Sequence, residues 1–159
     1  MKTLIVYYSL EGNMDLVAKS VAADQMADLC RLIPSKEYPT GKVSKYVWGG
    51  KSATFGEKPK LSNAFIYLEP YEALIIGTPV WASTMAPPLN TFLGDYDLRD
   101  KKIILLATHR GGSADKCFAK MKEKLSGNEI IGAFDFTEPK DNQDAQMGQK
   151  IQDIRKLIR

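Results

Sequence analysis

Cysteine, histidine and long apolar runs are the scarce features of this sequence. Two cysteines, Cys30 and Cys117, and one histidine, His109, occur in 159 residues. The cysteines lie far apart, with no partner ligands at metal spacing, so the usual zinc patterns are excluded. A reducing compartment keeps such thiols free, and both read as structural. No apolar stretch approaches the ~18 residues of a membrane span. The opening MKTLIVYYS has one lysine, a short apolar run and no small-residue cleavage site, so it reads as a first strand and not as a signal peptide. The expectation is a cytoplasmic protein without membrane insertion. An excess of one charge is also lacking: 22 Lys and Arg stand against 19 Asp and Glu, a net of +3. That excludes the strong basic stripe of a nucleic-acid binder. Lysines gather at 36–60 and 116–124, and both clusters read as solvated faces.

What is present is an ordinary globular composition, 44% hydrophobic and 26% charged. The length suits one domain over residues 1–159 with a sizeable core. Residues 2–8 (KTLIVYY), 27–33 (ADLCRLI), 72–78 (EALIIGT), 102–108 (KIILLAT) and 129–136 (EIIGAFDF) read as strands. Pro79 is expected to end the third. Helices are expected over 13–23, from Pro87 and Pro88 onward, over 114–125 with Ser113 as N-cap, and near the C-terminus. The last has a stripe of Met147, Ile151, Ile154 and Ile158, with Asp141 or Asn142 as its cap. Residues 35–60 are irregular, with a short helix expected around Val43–Trp48. There is no internal repeat and no low-complexity tract.

Strands and helices thus alternate five times. Continuous apolar strands imply a parallel sheet covered on both faces. Right-handed crossovers favour the doubly wound order 2-1-3-4-5, a three-layer α/β/α sandwich. Such a sheet binds ligands at the carboxyl ends of its strands, where the order reverses. That directs attention to the loops after strands 1, 3 and 4.

The first loop is Ser9-Leu10-Glu11-Gly12-Asn13-Met14. It leads into a helix N-terminus, where main-chain N–H groups and the helix dipole favour a phosphate. Ser9 and Asn13 add polar side chains. Glu11 would turn outward and Met14 offers no side-chain donor, so the site relies on backbone donors. The second loop, Pro79-Val80-Trp81-Ala82-Ser83, places an indole at the ligand edge as a stacking platform. The third, His109-Arg110-Gly111-Gly112, combines donors with glycines that permit close approach to a flat ligand. His109 reads as structural and not as a catalyst; no catalytic residue and no metal site is assigned.

Together, IVYYSLEGN (5–13), KYVWGG (45–50), IIGTPVWASTMAPPLNTFL (75–93) and THRGGS (108–113) resemble the flavodoxin family, in particular its short bacterial flavodoxin-like members. The resemblance implies a flavodoxin-like fold and non-covalently bound flavin mononucleotide (FMN). It implies that Ser9 to Met14 cradle the phosphate, that Pro79 to Ser83 line one side of the flavin ring, and that His109 to Gly112 line the other. Many relatives carry Thr where this chain has Glu11 and Met14. Shuttle flavodoxins are strongly acidic, whereas this chain is mildly basic. Arg110, His109 and a positive surround are therefore expected to favour reduced flavin. Trp48, Gly49 and Gly50 either fold over the flavin edge or pack between strands 2 and 3; packing is the reading adopted.

The expected function is electron transfer through FMN to a redox partner protein or a small-molecule acceptor. The rivals are an NAD(P)H-dependent reductase of quinones or similar acceptors, and a binding module without cofactor. A dinucleotide-binding domain would need G-x-G-x-x-G in the first loop and an acidic residue ending strand 2. The sequence has neither.

Overall fold

The computed structural model describes residues 1–38 and 56–159. The helix expected around Val43–Trp48, the KYVWGG stretch and the role of Trp48 lie outside the described residues.

The chain runs β1 (Thr3–Tyr7), α1 (Asn13–Ala22), a 3-10 turn (Ala23–Gln25), β2 (Asp28–Arg31), β3 (Ala73–Trp81), β4 (Thr84–Met85), α2 (Pro87–Asp95), β5 (Lys102–His109), α3 (Asp115–Lys124), β6 (Glu129–Thr137) and α4 (Ala145–Leu157). The sheet order is β2-β1-β3-β5-β6, all parallel, with β4 added antiparallel to the end of β3. Apart from β4, this is the expected doubly wound order, with the reversal between β1 and β3. The central strands carry apolar side chains on both faces because both faces are covered. Val6, Ile76, Leu105 and Phe92 belong to one core layer, packed with residues of α2 and α3. Ile5, Ile75, Ile104 and Ile154 belong to the other, packed with residues of α1 and α4.

Several local expectations are corrected. Pro79 does not end β3, which continues to Trp81. The Gly77 carbonyl accepts from Tyr8 N–H on the β1 side. Pro79, two residues on, turns its nitrogen to that same side, beyond the end of β1. Its missing N–H therefore costs no ladder bond, while Pro79 still pairs in register with Thr108 of β5. The chain then reverses through Ala82 (φ 49°) and Ser83 (φ 61°) into β4. A two-residue hairpin with positive φ at both central positions is the favoured geometry, but Gly and Asn are its usual residues. That is why the sequence hid it.

Pro87 and Pro88 do open α2, as expected. The Thr78 hydroxyl accepts from Ala86 N–H (2.9 Å) and donates to the Pro79 carbonyl (2.8 Å), so it joins the hairpin to the head of α2. The cap of α4 is Asp144, not Asp141 or Asn142; its carboxylate accepts from Met147 N–H at 2.9 Å. Asn142 instead donates to the Thr137 and Glu138 carbonyls. Ser113 sits one residue ahead of the N-cap position, Ala114, and accepts from Asp115 N–H.

Candidate flavin-binding cleft

The loops after β1, β3 and β5 meet at the carboxyl edge of the sheet and enclose a cleft of about 760 Å³, its open mouth included. Its lining contains Ser9, Leu10, Glu11, Asn13 and Met14 from the first loop, Pro79, Val80, Trp81 and Ala82 from the second, and Thr108, His109 and Arg110 from the third. Of the expected site residues, Gly12, Ser83, Gly111 and Gly112 are not among the lining residues. Thr108 is an addition.

The first loop is braced from within. Ser9, buried at the end of β1, accepts hydrogen bonds on its hydroxyl oxygen from Gly12 N–H and Asp15 N–H, both at 3.1 Å. Gly12 adopts φ 95°, which bends the chain into α1. The Gly12 carbonyl takes the first helical bond from Leu16. The Asn13 and Met14 N–H groups remain at the head of α1, where no intrahelical acceptor exists. An anion placed there meets both amides and the positive end of the helix.

The Met14 side chain is not part of this cradle. It is buried in the α1–α4 core layer, and its sulfur lies so close to Gly77 that a Cβ there would come within 2.7 Å of it. Two braces hold the loop from outside, and neither was legible in the sequence. Arg31, at the end of β2, donates to the Ser9 carbonyl at 2.6 Å and lies 3.7 Å from the Asp15 carboxylate. Lys140, after β6, donates from Nζ to the Glu11 carbonyl (2.8 Å) and from its backbone N–H to Asn13 Oδ1 (3.0 Å). Burial would raise the Asp15 carboxyl, but its bonds to Lys19 and Tyr7 and the nearby Arg31 outweigh that and hold it below the usual carboxylate range.

The second loop forms an aromatic wall. Trp81 makes edge-to-face contacts with Tyr8 (5.8 Å, 88°) and Tyr38 (5.2 Å, 84°), and Tyr8 meets Tyr38 at 6.2 Å. Tyr8 is buried and donates to Glu37 at 2.8 Å. Burial, then the Glu37 bond, pushes its phenol far above the ordinary tyrosine range. Trp81 itself is only partly buried and forms part of the cleft surface. The indole is thus packed against Tyr8 and Tyr38 and also presented to the cleft.

The third loop corrects the expectation of donors aimed into the crevice. His109 Nε2 lies 2.7 Å from the Asp135 carboxylate, and Nδ1 accepts from Gly111 N–H at 3.0 Å. Because an N–H can only donate, Nδ1 is the unprotonated nitrogen and Nε2–H points to Asp135. That hydrogen bond is the leading cause of a lowered Asp135 carboxyl, with Lys150 adding to it against burial. Arg110 lies 3.4 Å from Glu11 and 3.8 Å from Glu138. The positive charge expected at this rim is therefore offset by two carboxylates. Glu11, expected to turn outward, instead reaches across the rim to Arg110.

A flavodoxin family profile matches residues 2–133. The chain belongs to the flavodoxin family. Members of this family bind FMN. Solved structures extend the likeness in fold. A flavoprotein from Lactobacillus acidophilus NCFM, determined in complex with FMN, superposes with TM-score 0.73 at 21% identity, over 89% of this chain and 97% of that one. Flavodoxin 2 from Bacillus cereus gives 0.61 at 17%, over 99% and 97%. The azoreductase AzrA gives 0.56 at 13%, over 98% of each. Among the described residues of this family member, no helix is long and apolar enough to cross a membrane, and no cluster of three His, Cys, Asp or Glu could hold a metal.

Proposed function

We propose that this flavodoxin-family chain binds FMN in the cleft and transfers electrons through it to a protein partner or a small acceptor. The observation that carries the reading is the convergence of two unlike surfaces at one switch point. The head of α1 offers the Asn13 and Met14 amides to a dianion, and Trp81 offers an apolar face to a planar ring. The donor set matches the group: backbone amides for the phosphate, an indole and small residues for the ring. Bound FMN supplies the redox chemistry, and the protein supplies binding, orientation and field.

Within that division, Ser9 holds the first loop in shape and the Trp81 wall excludes water from one side. Arg110, with its paired carboxylates, closes the rim. No side chain in the cleft is required to act as acid or base. The mild positive net charge separates this chain from strongly acidic shuttles, whose charge favours basic partners. A cytoplasmic location fits this reading.

An NAD(P)H-dependent reductase is the second reading, favoured by the fold likeness to an azoreductase. Stopped-flow mixing of the FMN-loaded protein with NADPH separates the two. Slow or absent direct bleaching of the flavin is expected; fast bleaching selects the reductase. An FMN titration precedes it, and a folded preparation that takes up no FMN removes both readings in favour of a binding module without cofactor.

A further inference from the structure

We propose that His109 is a positioning residue whose neutral form locks the third loop, so that flavin binding is coupled to deprotonation of this imidazole. The proposal rests on the cleft being the flavin site. The side chain of His109 is only 6% exposed, and both ring nitrogens are committed. Nε2–H ties the end of β5 to Asp135 of β6, and Nδ1 receives Gly111 N–H. Gly111 (φ 128°) and Gly112 (φ 88°) hold backbone conformations that only glycine adopts without strain. The turn after Arg110 therefore has little intrinsic preference of its own, and the Gly111–Nδ1 bond selects one conformer.

Protonation reverses that bond. An imidazolium carries hydrogen on both nitrogens, so Nδ1–H would face Gly111 N–H, donor against donor. Asp135 can still accept from Nε2, so the ring stays in place while its grip on the loop is lost. Arg110 and His109 are cleft-lining residues on this segment, so the change reaches the site directly. The charged groups around the ring among the described residues are Asp135 on β6 and Lys150 of α4, 3.7 Å from the Asp135 carboxylate. Arg110 lies beside it, with Glu11 of the first loop and Glu138 after β6. Asp135 favours the charged ring, while Gly111 opposes it. Flavin that binds the locked loop adds to the opposition, which is the linkage claimed.

The sign follows. If flavin binds only the neutral form, its dissociation constant rises as pH falls from 8 to 5, by up to about tenfold per pH unit once the ring is protonated. The FMN phosphate also gains a proton in this range, so the test is a comparison between proteins. In His109→Asn, Oδ1 stands where Nδ1 stood and accepts from Gly111 N–H at every pH. In His109→Ala the acceptor is gone at every pH.

FMN affinity is measured by fluorescence titration from pH 8 to pH 5 for wild type, His109→Asn and His109→Ala. In parallel, hydrogen exchange of the Gly111 amide is followed without FMN and corrected for its intrinsic pH dependence. The expected result is that the ratio of wild-type to His109→Asn affinity falls about tenfold between pH 8 and pH 5, whatever that ratio is at pH 8, with Gly111 protection lost over the same interval in wild type alone. His109→Ala should be weak and unprotected throughout. Parallel affinity and protection profiles for wild type and His109→Asn would overturn the proposal. Should Gly111 protection switch while no FMN is taken up at any pH, the lock stands and the flavin reading fails.

Discussion

The two sides of the cleft are built on opposite principles. The first loop, Ser9 to Met14, is held by polar bonds: the Ser9 hydroxyl inside, Arg31 and Lys140 outside. The wall at Pro79 to Ser83 is held by aromatic packing on Tyr8 and Tyr38, and it turns through two non-glycine residues with positive φ. The polar side directs amide dipoles toward one point, whereas the apolar side provides a surface whose shape matters more than its charge. The first should respond to salt, pH and single lost hydrogen bonds. The second should respond to volume and backbone strain.

Gly77 joins the two sides, and breaking it should produce the largest effect. A Cβ at this position would meet Met14 Sδ at 2.7 Å and Tyr7 Cβ at 3.2 Å. Gly77→Ala should therefore cost about 1–3 kcal/mol of stability by overpacking. The double variant Gly77→Ala, Met14→Ala should cost less than the sum of the two single changes, because the cavity of one receives the methyl of the other. Thermal or urea unfolding measures both.

Ser9→Ala should come next. It strips the acceptor from Gly12 N–H and Asp15 N–H, at about 1–2 kcal/mol, and it should weaken FMN because the Asn13 and Met14 amides lose their fixed direction. Trp81→Ala sharpens the contrast. Its lost ring contacts are worth about 0.5–1.5 kcal/mol each, and FMN affinity should fall by about tenfold, ~1.4 kcal/mol, with the first loop undisturbed. Amide resonances of residues 10–15 distinguish the two variants: they should move in Ser9→Ala and stay in Trp81→Ala.

Asp15 gives the polar side its pH dependence. Its carboxyl is held below the ordinary aspartate value, so the folded form binds protons less readily than the unfolded chain. The stabilisation is complete above that value and fades as pH falls through the lower folded value. Acid unfolding of Asp15→Asn should accordingly be less steep than that of wild type in this window. The apolar wall has no counterpart in acid, since its Tyr8 phenol is shifted upward and titrates only in alkali, and its smallest lever is strain. Ala82→Gly or Ser83→Gly should raise stability by up to about 1 kcal/mol, since a left-handed conformation costs an L-residue ~1–2 kcal/mol and glycine returns part of that as entropy.

The fold was legible because burial on both faces writes β3 and β5 as unbroken apolar runs, and because Met147, Ile151 and Ile154 repeat at helical spacing. The three loops were legible because the order of such strands dictates where they meet. Less visible were the residues that make the loops stiff. Lys140 reaches Asn13 across 127 positions of sequence, and Arg31 reaches Ser9 across 22; no local pattern announces either. Tyr8 looked like strand core and is also the support for Trp81. Ala82 and Ser83 carry no turn signature, since the hairpin is imposed by the pairing of Val80 with Met85 and Trp81 with Thr84. His109 reads as structural from sequence, but its partner Asp135 lay unmarked in an apolar strand.

The central claim is the location of the flavin, and amide chemical-shift mapping tests it most directly. On adding one equivalent of FMN, the backbone resonances of Asn13 and Met14, the Trp81 indole and the Arg110–Gly112 amides should move together. Lys101 and Gly127, at the opposite end of the sheet, should not. Saturable shifts centred on residues outside the three loops, with Asn13, Met14 and Trp81 unmoved, would contradict the account.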